Sequence, residues 1–410
     1  MVSYKSRRMS ESLPRLHQLA DRFTSESLHV VYDENILGLE AFFENHRLTP
    51  LAGRSITRDD LLDADILIVR SVTRVDKTLL DGTSVRFVGT CTIGIDHLDI
   101  SFLEQNQIVW ASAPGCNANA VVQYVVCALV AVGALSFNAQ SSRTEAGTAK
   151  SIAIIGCGNV GGRVGQVFSE LGHSVRCVDP FLSKAAIGRK RMEKSSLAAC
   201  EDADIICCHT PLTTSGDHPS FEMLDRVFFE ALKPGAVLVN AGRGAIVSTA
   251  VLESLTPQLL AKKITLILDV WPDEPEVDRK LAQHVKIATP HIAGYSLEGK
   301  VYGTTMILRE LLSELGATEK RYEALIETIH HDYFGSTVSL DSTTLDQAIL
   351  SVYNPKKDHE RFMTSVSRMP AAFDALRKEY PLRREFGHFN LDPKALTESE
   401  MTNARALGFL

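Results

Sequence analysis

The sequence has no surplus of positive charge. Its 43 Lys+Arg stand against 50 Asp+Glu, a formal net charge of −7, which is far from the basic stripe needed to neutralise a phosphate backbone. Nucleic acid is therefore not an expected partner. Aromatic residues are sparse, at 7% with 2 Trp, yet 45% of the chain is hydrophobic, enough for a sizeable core. With 26 Gly and 15 Pro, the composition excludes disordered, collagen-like and disulfide-scaffold classes. No cysteine follows Cys208, and Cys91, Cys116, Cys127, Cys157, Cys177, Cys200, Cys207 and Cys208 contain no C-x-x-C pair. That pattern gives no reason to expect a metal site. The adjacent Cys207 and Cys208 suit a buried strand, and all eight read as reduced thiols of a cytoplasmic protein.

Residues 1–27 hold five Lys/Arg and three Asp/Glu without an apolar run, so they are not a secretory signal. Leu16, Leu19, Ala20 and Phe23 fall at helical spacing, compatible with a short amphipathic helix or with a disordered extension. The longest apolar stretch, residues 120–137 (AVVQYVVCALVAVGALSF), carries Gln123 and Tyr124 early and lacks flanking basic clusters. At about 18 residues it barely reaches spanning length. A helix buried on all sides in a globular core is the better reading, and no membrane association is expected.

A chain of 410 residues allows two to three domains at about 150 residues each. Apolar runs at 29–33, 66–70, 85–90 and 108–111 alternate with helical patterns, which argues for a parallel α/β sheet. After a polar hinge at 138–150, runs at 151–155, 174–179, 205–209, 236–240, 264–269 and 285–289 fit a doubly wound nucleotide fold. From about residue 317 the pattern changes. A strand at 336–340, helices at 344–352, 357–368 and 371–379, and a last helix opened by a Thr397/Glu400 capping box and closed by Gly408 read as a separate small α+β module.

Residues 152–163 read IAIIGCGNVGGR. Gly156, Gly158 and Gly161 form a G-x-G-x-x-G directly after an apolar strand and opening a helix. The first two glycines allow a tight turn and close approach of a pyrophosphate to backbone N–H groups, while the third allows the helix to pack on the strand. Asp179 ends the next strand, where a carboxylate can accept both ribose hydroxyls and would repel a 2′-phosphate. The pattern favours NAD over NADP, although Lys184 and Lys190 lie beyond that strand.

Three later segments carry residue types suited to oxidising a hydroxy acid. NAGRGAIV, residues 240–247, places Arg243 in a glycine-flanked loop after a strand, where a planar guanidinium can grip a carboxylate through two hydrogen bonds. LDVWPDEPE, residues 268–276, places Asp269 at a strand end and Glu274 in a proline-bounded loop, and TPHIAG, residues 289–294, places His291 after the last strand. A histidine there can take a hydroxyl proton, and a neighbouring carboxylate would orient the ring. Taken singly, each has an ordinary reading as a surface arginine, a solvated acid or a satisfied loop histidine. It is their placement after consecutive strands of one nucleotide-binding domain that carries weight.

Together GCGNVG, NAGRGAIV, LDVWPDEPE and TPHIAG resemble the D-2-hydroxyacid dehydrogenase superfamily. VYDEN (31–35), IVRSVTRV (68–75), FVGTCTIGIDHLD (87–99), PGCNANAVV (114–122) and HIAGYSLEGK (291–300) narrow the resemblance to a branch acting on a small phosphorylated hydroxy acid. The resemblance runs from about residue 29 to 410. It implies two Rossmann-like doubly wound parallel-sheet domains with a cleft between them and a small C-terminal α+β dimerisation domain, hence a homodimer. The substrate domain would span 28–122 and 291–318, the NAD-binding domain 123–290 and the dimerisation domain 319–410, after an extension at 1–27. It further implies that Arg243 holds the substrate carboxylate, that His291 is the general base and that Glu274 is its partner. Ser71, Thr92 and Tyr295 would contact substrate. Gly156, Gly158, Asn159, Val160, Gly161, Asp179, Thr210, Ala241, Gly242, Arg243, Asp269 and Gly294 would contact NAD. Arg70, Arg74, Arg383 and Arg384 are candidates for the phosphate by charge alone, and His97 reads as a packing residue. Gln123 and Ser248 stand where related chains commonly have Glu and Asp. A dehydrogenase of another hydroxy acid and a non-catalytic NADH-sensing regulator are the alternatives on the same fold.

Overall fold

The structure is a computed structural model, and it describes residues 27–138, 149–316 and 319–410. The expected amphipathic stretch around Leu16 and most of the hinge at 138–150 lie outside the described residues. Two compact units emerge. The first runs to Asn117 and resumes over Leu297–Gly335; the second comprises Ala118–Ser296 and Ser336–Leu410.

The first unit is built on a parallel sheet of β1 (His29–Asp33), β2 (Arg47–Leu51), β3 (Ile66–Val69), β4 (Phe87–Thr90) and β5 (Val109–Ser112), ordered β2-β1-β3-β4-β5. β1, β3 and β4 are buried throughout, as expected of strands covered on both faces. The strand order reverses between β1 and β3, and Ser71 follows β3 while Thr92 follows β4, so both lie at the carboxyl edge where such sheets bind ligands. The helix Leu297–Glu314 packs on this sheet through Val301, Ile307, Leu308 and Leu311, and the helix Glu319–Phe334 joins the same core through Ile329.

The second unit holds a seven-stranded parallel sheet: β6 (Ser151–Ile155), β7 (Ser174–Val178), β8 (Glu193–Ser195), β9 (Ile205–Cys208), β10 (Val237–Asn240), β11 (Thr265–Leu268) and β12 (Ile287–Ala288). Their order is β12-β11-β10-β9-β6-β7-β8, so the topology switches between β6 and β9. Residues 120–131 of the helix Ala118–Ala131 are all buried in this unit's core. Among the described residues no helix is long and apolar enough to cross a membrane.

Residues 336–410 group with this second unit. Leu345, Ala348, Ile349 and Leu407 share a buried cluster with Val125 and Val167, and Phe362 stacks on Trp271 with ring centroids 5.1 Å apart and planes at 11°. Two short strands, β13 (Val338–Leu340) and β14 (Phe389–Leu391), pair in parallel. The capping box of Thr397 and Glu400 forms, and Gly408 closes the last helix at φ 96°. The unit boundaries fall at 117/118, 296/297 and 335/336. Amphipathic pattern alone cannot say which core a helix joins.

Candidate active site

The register of the second sheet assembles the cofactor loop. Ile155 of β6 pairs with Val178 of β7 and with Cys208 of β9, so the chain leaving β6 meets Asp179 on one side and His209 and Thr210 on the other. Gly156 turns at φ 82°, and a Cβ there would strike the Thr210 backbone N at 2.8 Å; a Cβ on Gly161 would meet the Gly156 carbonyl at 1.9 Å. Above Gly158, by contrast, a Cβ would meet nothing within 4 Å. Asp179 is held by backbone, its Oδ2 accepting from Cys157 N at 2.9 Å and its Oδ1 from Phe181 N at 3.0 Å. The Thr210 hydroxyl is buried without a hydrogen-bond partner, an unusual state for a buried polar group. Open space over Gly158, N–H groups of the helix Asn159–Glu170 and this unmet hydroxyl fit a dinucleotide. Burial pushes the His209 imidazole down to about 4, so it is neutral and adds no charge there.

Two features of this loop depart from expectation. Cys157, in the loop just after β6, and Cys177 of β7 form a disulfide with Cα atoms 6.2 Å apart, where reduced thiols were expected. Spacing along the chain does not reveal partners brought together by strand pairing. The six remaining cysteines form no disulfide, and burial pushes the Cys91 and Cys200 thiols up to about 12, which makes them poor nucleophiles. Lys190 also reaches the loop, its Nζ donating to the Gly158 carbonyl at 3.1 Å.

The catalytic candidates converge for a similar reason. Asn240, Leu268 and Ala288 are in register across β10, β11 and β12, which brings Arg243, Glu274 and His291 to the same edge of neighbouring strands. Asn240 shapes the arginine loop, its Oδ1 accepting from Gly242 N at 3.1 Å and its Nδ2 donating to the Arg243 carbonyl at 3.1 Å. Gly244 allows that loop to lie against the next, since a Cβ would sit 1.8 Å from the Trp271 carbonyl oxygen. His291 Nδ1 lies 2.8 Å from Glu274 Oε2, and Glu274 Oε1 accepts from Trp271 N at 2.8 Å. Burial alone would raise the Glu274 carboxyl. The charge and hydrogen bond of His291, the Trp271 N–H and the Arg377 guanidinium outweigh it and hold the carboxyl below the usual glutamate range.

His291 sits at φ 57°, a backbone region that non-glycine residues seldom occupy. Asp269, 1% exposed, is the support. Its carbonyl accepts from His291 N at 2.6 Å, Oδ1 accepts from Ile292 N at 2.7 Å and from the Thr289 hydroxyl at 2.7 Å, and Oδ2 accepts from Ala293 N at 2.8 Å. Burial pushes this carboxyl up, against the His291 charge and the Ala293 and Ile292 N–H groups. Asp269 therefore organises the histidine loop, a task that its strand-end position did not reveal. Tyr124 and Trp271 brace the same turn through Thr289, at 2.7 and 3.0 Å.

The remaining expected residues are placed as follows. In the first unit, Ser71 is exposed, and Thr92 bonds the Thr90 hydroxyl at 2.8 Å and the Gly94 carbonyl at 3.1 Å. His97 Nε2 bonds Thr90 at 3.0 Å, a packing role. Of the phosphate candidates, Arg70 pairs with buried Asp33 at 3.0 Å and Arg74 with Asp76 at 2.9 Å. In the second unit, Arg383 is buried and Arg384 Nη1 bonds His388 at 3.1 Å. The two departures from related chains are absorbed: Ser248 caps its helix through Val251 N at 3.2 Å, and Gln123 donates to the Arg384 carbonyl at 2.9 Å. Among the described residues no cluster of His, Cys, Asp and Glu could hold a metal ion.

The family described as "D-isomer specific 2-hydroxyacid dehydrogenase, NAD binding domain" matches residues 131–293, and a "domain of unknown function (DUF3410)" matches 325–408. Among solved structures, the D-lactate dehydrogenase of Aquifex aeolicus complexed with NAD and lactic acid is 20% identical with a TM-score of 0.55, covering 73% of this chain and 98% of its own. The NAD-bound 3-phosphoglycerate dehydrogenase of Entamoeba histolytica is 22% identical with a TM-score of 0.55, covering 70% and 95%. At that identity the likeness shows the α/β Rossmann-like fold. Fold, cofactor loop and matched family together define an NAD-dependent D-2-hydroxyacid dehydrogenase.

Nearer relatives refine the class. An erythronate-4-phosphate dehydrogenase of Teredinibacter turnerae is 41% identical over 93% of this chain and 98% of its own length, and one of Stutzerimonas stutzeri is 42% identical over 87% and 93%. The chain belongs to the erythronate-4-phosphate dehydrogenase family.

Proposed function

We propose that this protein oxidises 4-phospho-D-erythronate at C2 with NAD, giving 2-oxo-3-hydroxy-4-phosphobutanoate and NADH, a step of pyridoxal phosphate biosynthesis. The observation that carries the reading is the 2.8 Å His291–Glu274 pair, set beside the Arg243 loop by strand register, in a chain about 40% identical along its length to enzymes of that name. NAD, when bound, supplies the hydride acceptor. Gly156, Gly158, Asn159, Val160 and Gly161 would hold its pyrophosphate, and Asp179 its ribose. Thr210, Ala241, Gly242, Asp269 and Gly294 would contact the remainder.

The protein's own part is acid–base and electrostatic. Nδ1 of His291 is committed to Glu274, which fixes the tautomer and leaves Nε2 to take the C2 hydroxyl proton. Glu274 stabilises the imidazolium that results. The planar fork of Arg243 suits the substrate carboxylate and the C2 oxygen, and Ser71, Thr92 and Tyr295 are the proposed substrate contacts. A cytoplasmic homodimer completes the proposal. The exposed apolar side chains of Leu382, 71% accessible, and Val338, 46% accessible, support the C-terminal segment as its contact surface.

The test is NADH formation by purified protein across 4-phosphoerythronate, 3-phosphoglycerate and glycerate. The expected kcat/KM for 4-phosphoerythronate exceeds that for glycerate by about 10³-fold or more, because a site built for a charged group rejects an analogue that leaves it unpaired, and exceeds that for 3-phosphoglycerate, which lacks one CHOH unit, by about tenfold or more. Equal turnover of 3-phosphoglycerate would overturn the assignment, and no turnover of any substrate would favour an NADH-sensing regulator.

A further inference from the structure

The loop that carries His291 is held from two directions. Asp269 supports it from the sheet, as described. The C-terminal segment meets it from the other side at three residues. Arg383 Nη2 donates to the Ala293 carbonyl, the Ser296 hydroxyl donates to Glu385 Oε1 at 2.7 Å, and the Arg377 guanidinium carbon lies 5.5 Å from the centre of the Tyr295 ring. We propose that this segment, most of which matches a domain of unknown function, completes the active site of its own chain, with Arg383 as a positioning residue for His291. The proposal rests on the reading of His291 as the base.

The housing of Arg383 argues for this role. Its side chain is 5% exposed, and its guanidinium carbon lies 4.6 Å from the Tyr353 ring centre and 6.0 Å from that of Tyr380. Both tyrosine hydroxyls donate to Asp358 Oδ2, at 3.0 and 2.8 Å, so the cation sits between two rings whose polar ends converge on a buried carboxylate. Burying a guanidinium costs several kcal/mol unless its surroundings are built for it, and a group so encased cannot follow a drifting loop. The backbone of the segment is itself tied to the helix Ala118–Ala131 by the Gln123–Arg384 bond. The carbonyl that Arg383 grips lies two residues from His291, whose φ of 57° needs external support.

The experiment uses the full-length protein with NAD and 4-phosphoerythronate. Arg383→Ala should lower kcat about 30- to 100-fold, the scale of an ångström-sized misplacement, with the Kd for NAD, measured by fluorescence, changed less than about threefold. Arg383→Lys, or added guanidinium ion with Arg383→Ala, should restore part of the rate. If Arg383→Ala does not fold, Ser296→Ala decides, since it removes the Glu385 anchor without unpairing a buried cation; it should lower kcat about 5-fold at unchanged NAD affinity. Wild-type kcat in a folded Arg383→Ala, or in Ser296→Ala, overturns the proposal, as does parallel loss of NAD binding and kcat, which would mark a merely structural role. His291→Ala, measured alongside, separates the two readings. Its inactivity leaves the base assignment standing whatever Arg383 does, and its retained turnover removes the basis of both.

Discussion

Glu274 is the residue whose environment says most about the chemistry. Burial would raise its carboxyl, but His291, the Trp271 N–H and the Arg377 guanidinium face it and hold it below the ordinary glutamate range. Glu274→Gln preserves shape and removes that charge. Its kcat/KM is then read across pH to the plateau. The rate on the plateau should fall about 10- to 100-fold, as the imidazolium formed on proton transfer loses its partner. Stability has its own sign. A carboxyl depressed in the folded state contributes fully above its unfolded pKa, and the contribution is lost as pH falls through the folded value. The variant should melt below wild type at pH 7, and the gap should close below about pH 4. A pH-independent gap would mean that the charge of Glu274 is not what stabilises the pair.

At the scale of elements, the two glycine positions of the cofactor loop separate folding from binding. A methyl group on Gly161 would lie 1.9 Å from the Gly156 carbonyl, whereas one on Gly158 meets nothing within 4 Å. Gly161→Ala should therefore push the helix Asn159–Glu170 off β6, lowering the Tm and the NAD affinity together. Gly158→Ala should lower the Tm far less and still weaken NAD binding about tenfold or more, because the space it fills is where backbone must approach the pyrophosphate. Isothermal titration and thermal melts of both variants check this, and equal Tm losses would refute the distinction. The loop was legible in the sequence because its chemistry needs small residues at fixed offsets, directly after a buried strand. The same holds for Arg243, Glu274 and His291, each just past an apolar run. Strands β2, β8 and β14 were not legible, being short and partly exposed. Arg377 was not legible as a neighbour of the site, and Arg383 and Lys190 were legible only as charges, not for the carbonyls they bond, because long cationic side chains carry no periodic signal and their partners lie far away along the chain.

At the scale of the whole molecule, residues 336–410 group with the cofactor-binding unit. Amphipathic pattern shows that a face of each helix is buried and not against what. Phe362 is fully buried, stacked on Trp271, and shares a cluster with Leu281, Ala282 and Val285 that flanks β11 and β12. Phe362→Ala should cost about 3–5 kcal/mol by cavity formation and lost transfer energy, a fall in Tm of about 10 °C for a unit of this size. Because Trp271 N also anchors Glu274 at 2.8 Å, kcat should fall even at temperatures where the variant is fully folded. A chain ending at Gly335 makes the sharper case. A detachable dimerisation module would leave behind a monomer that melts cooperatively and binds NAD. A segment that fills the core would instead leave Trp271 and the face of the helix Ala118–Ala131 in water. Calorimetry of that chain should show no cooperative transition for the cofactor-binding unit and titration no NAD binding, while a preserved transition would return residues 336–410 to the status of an appendage.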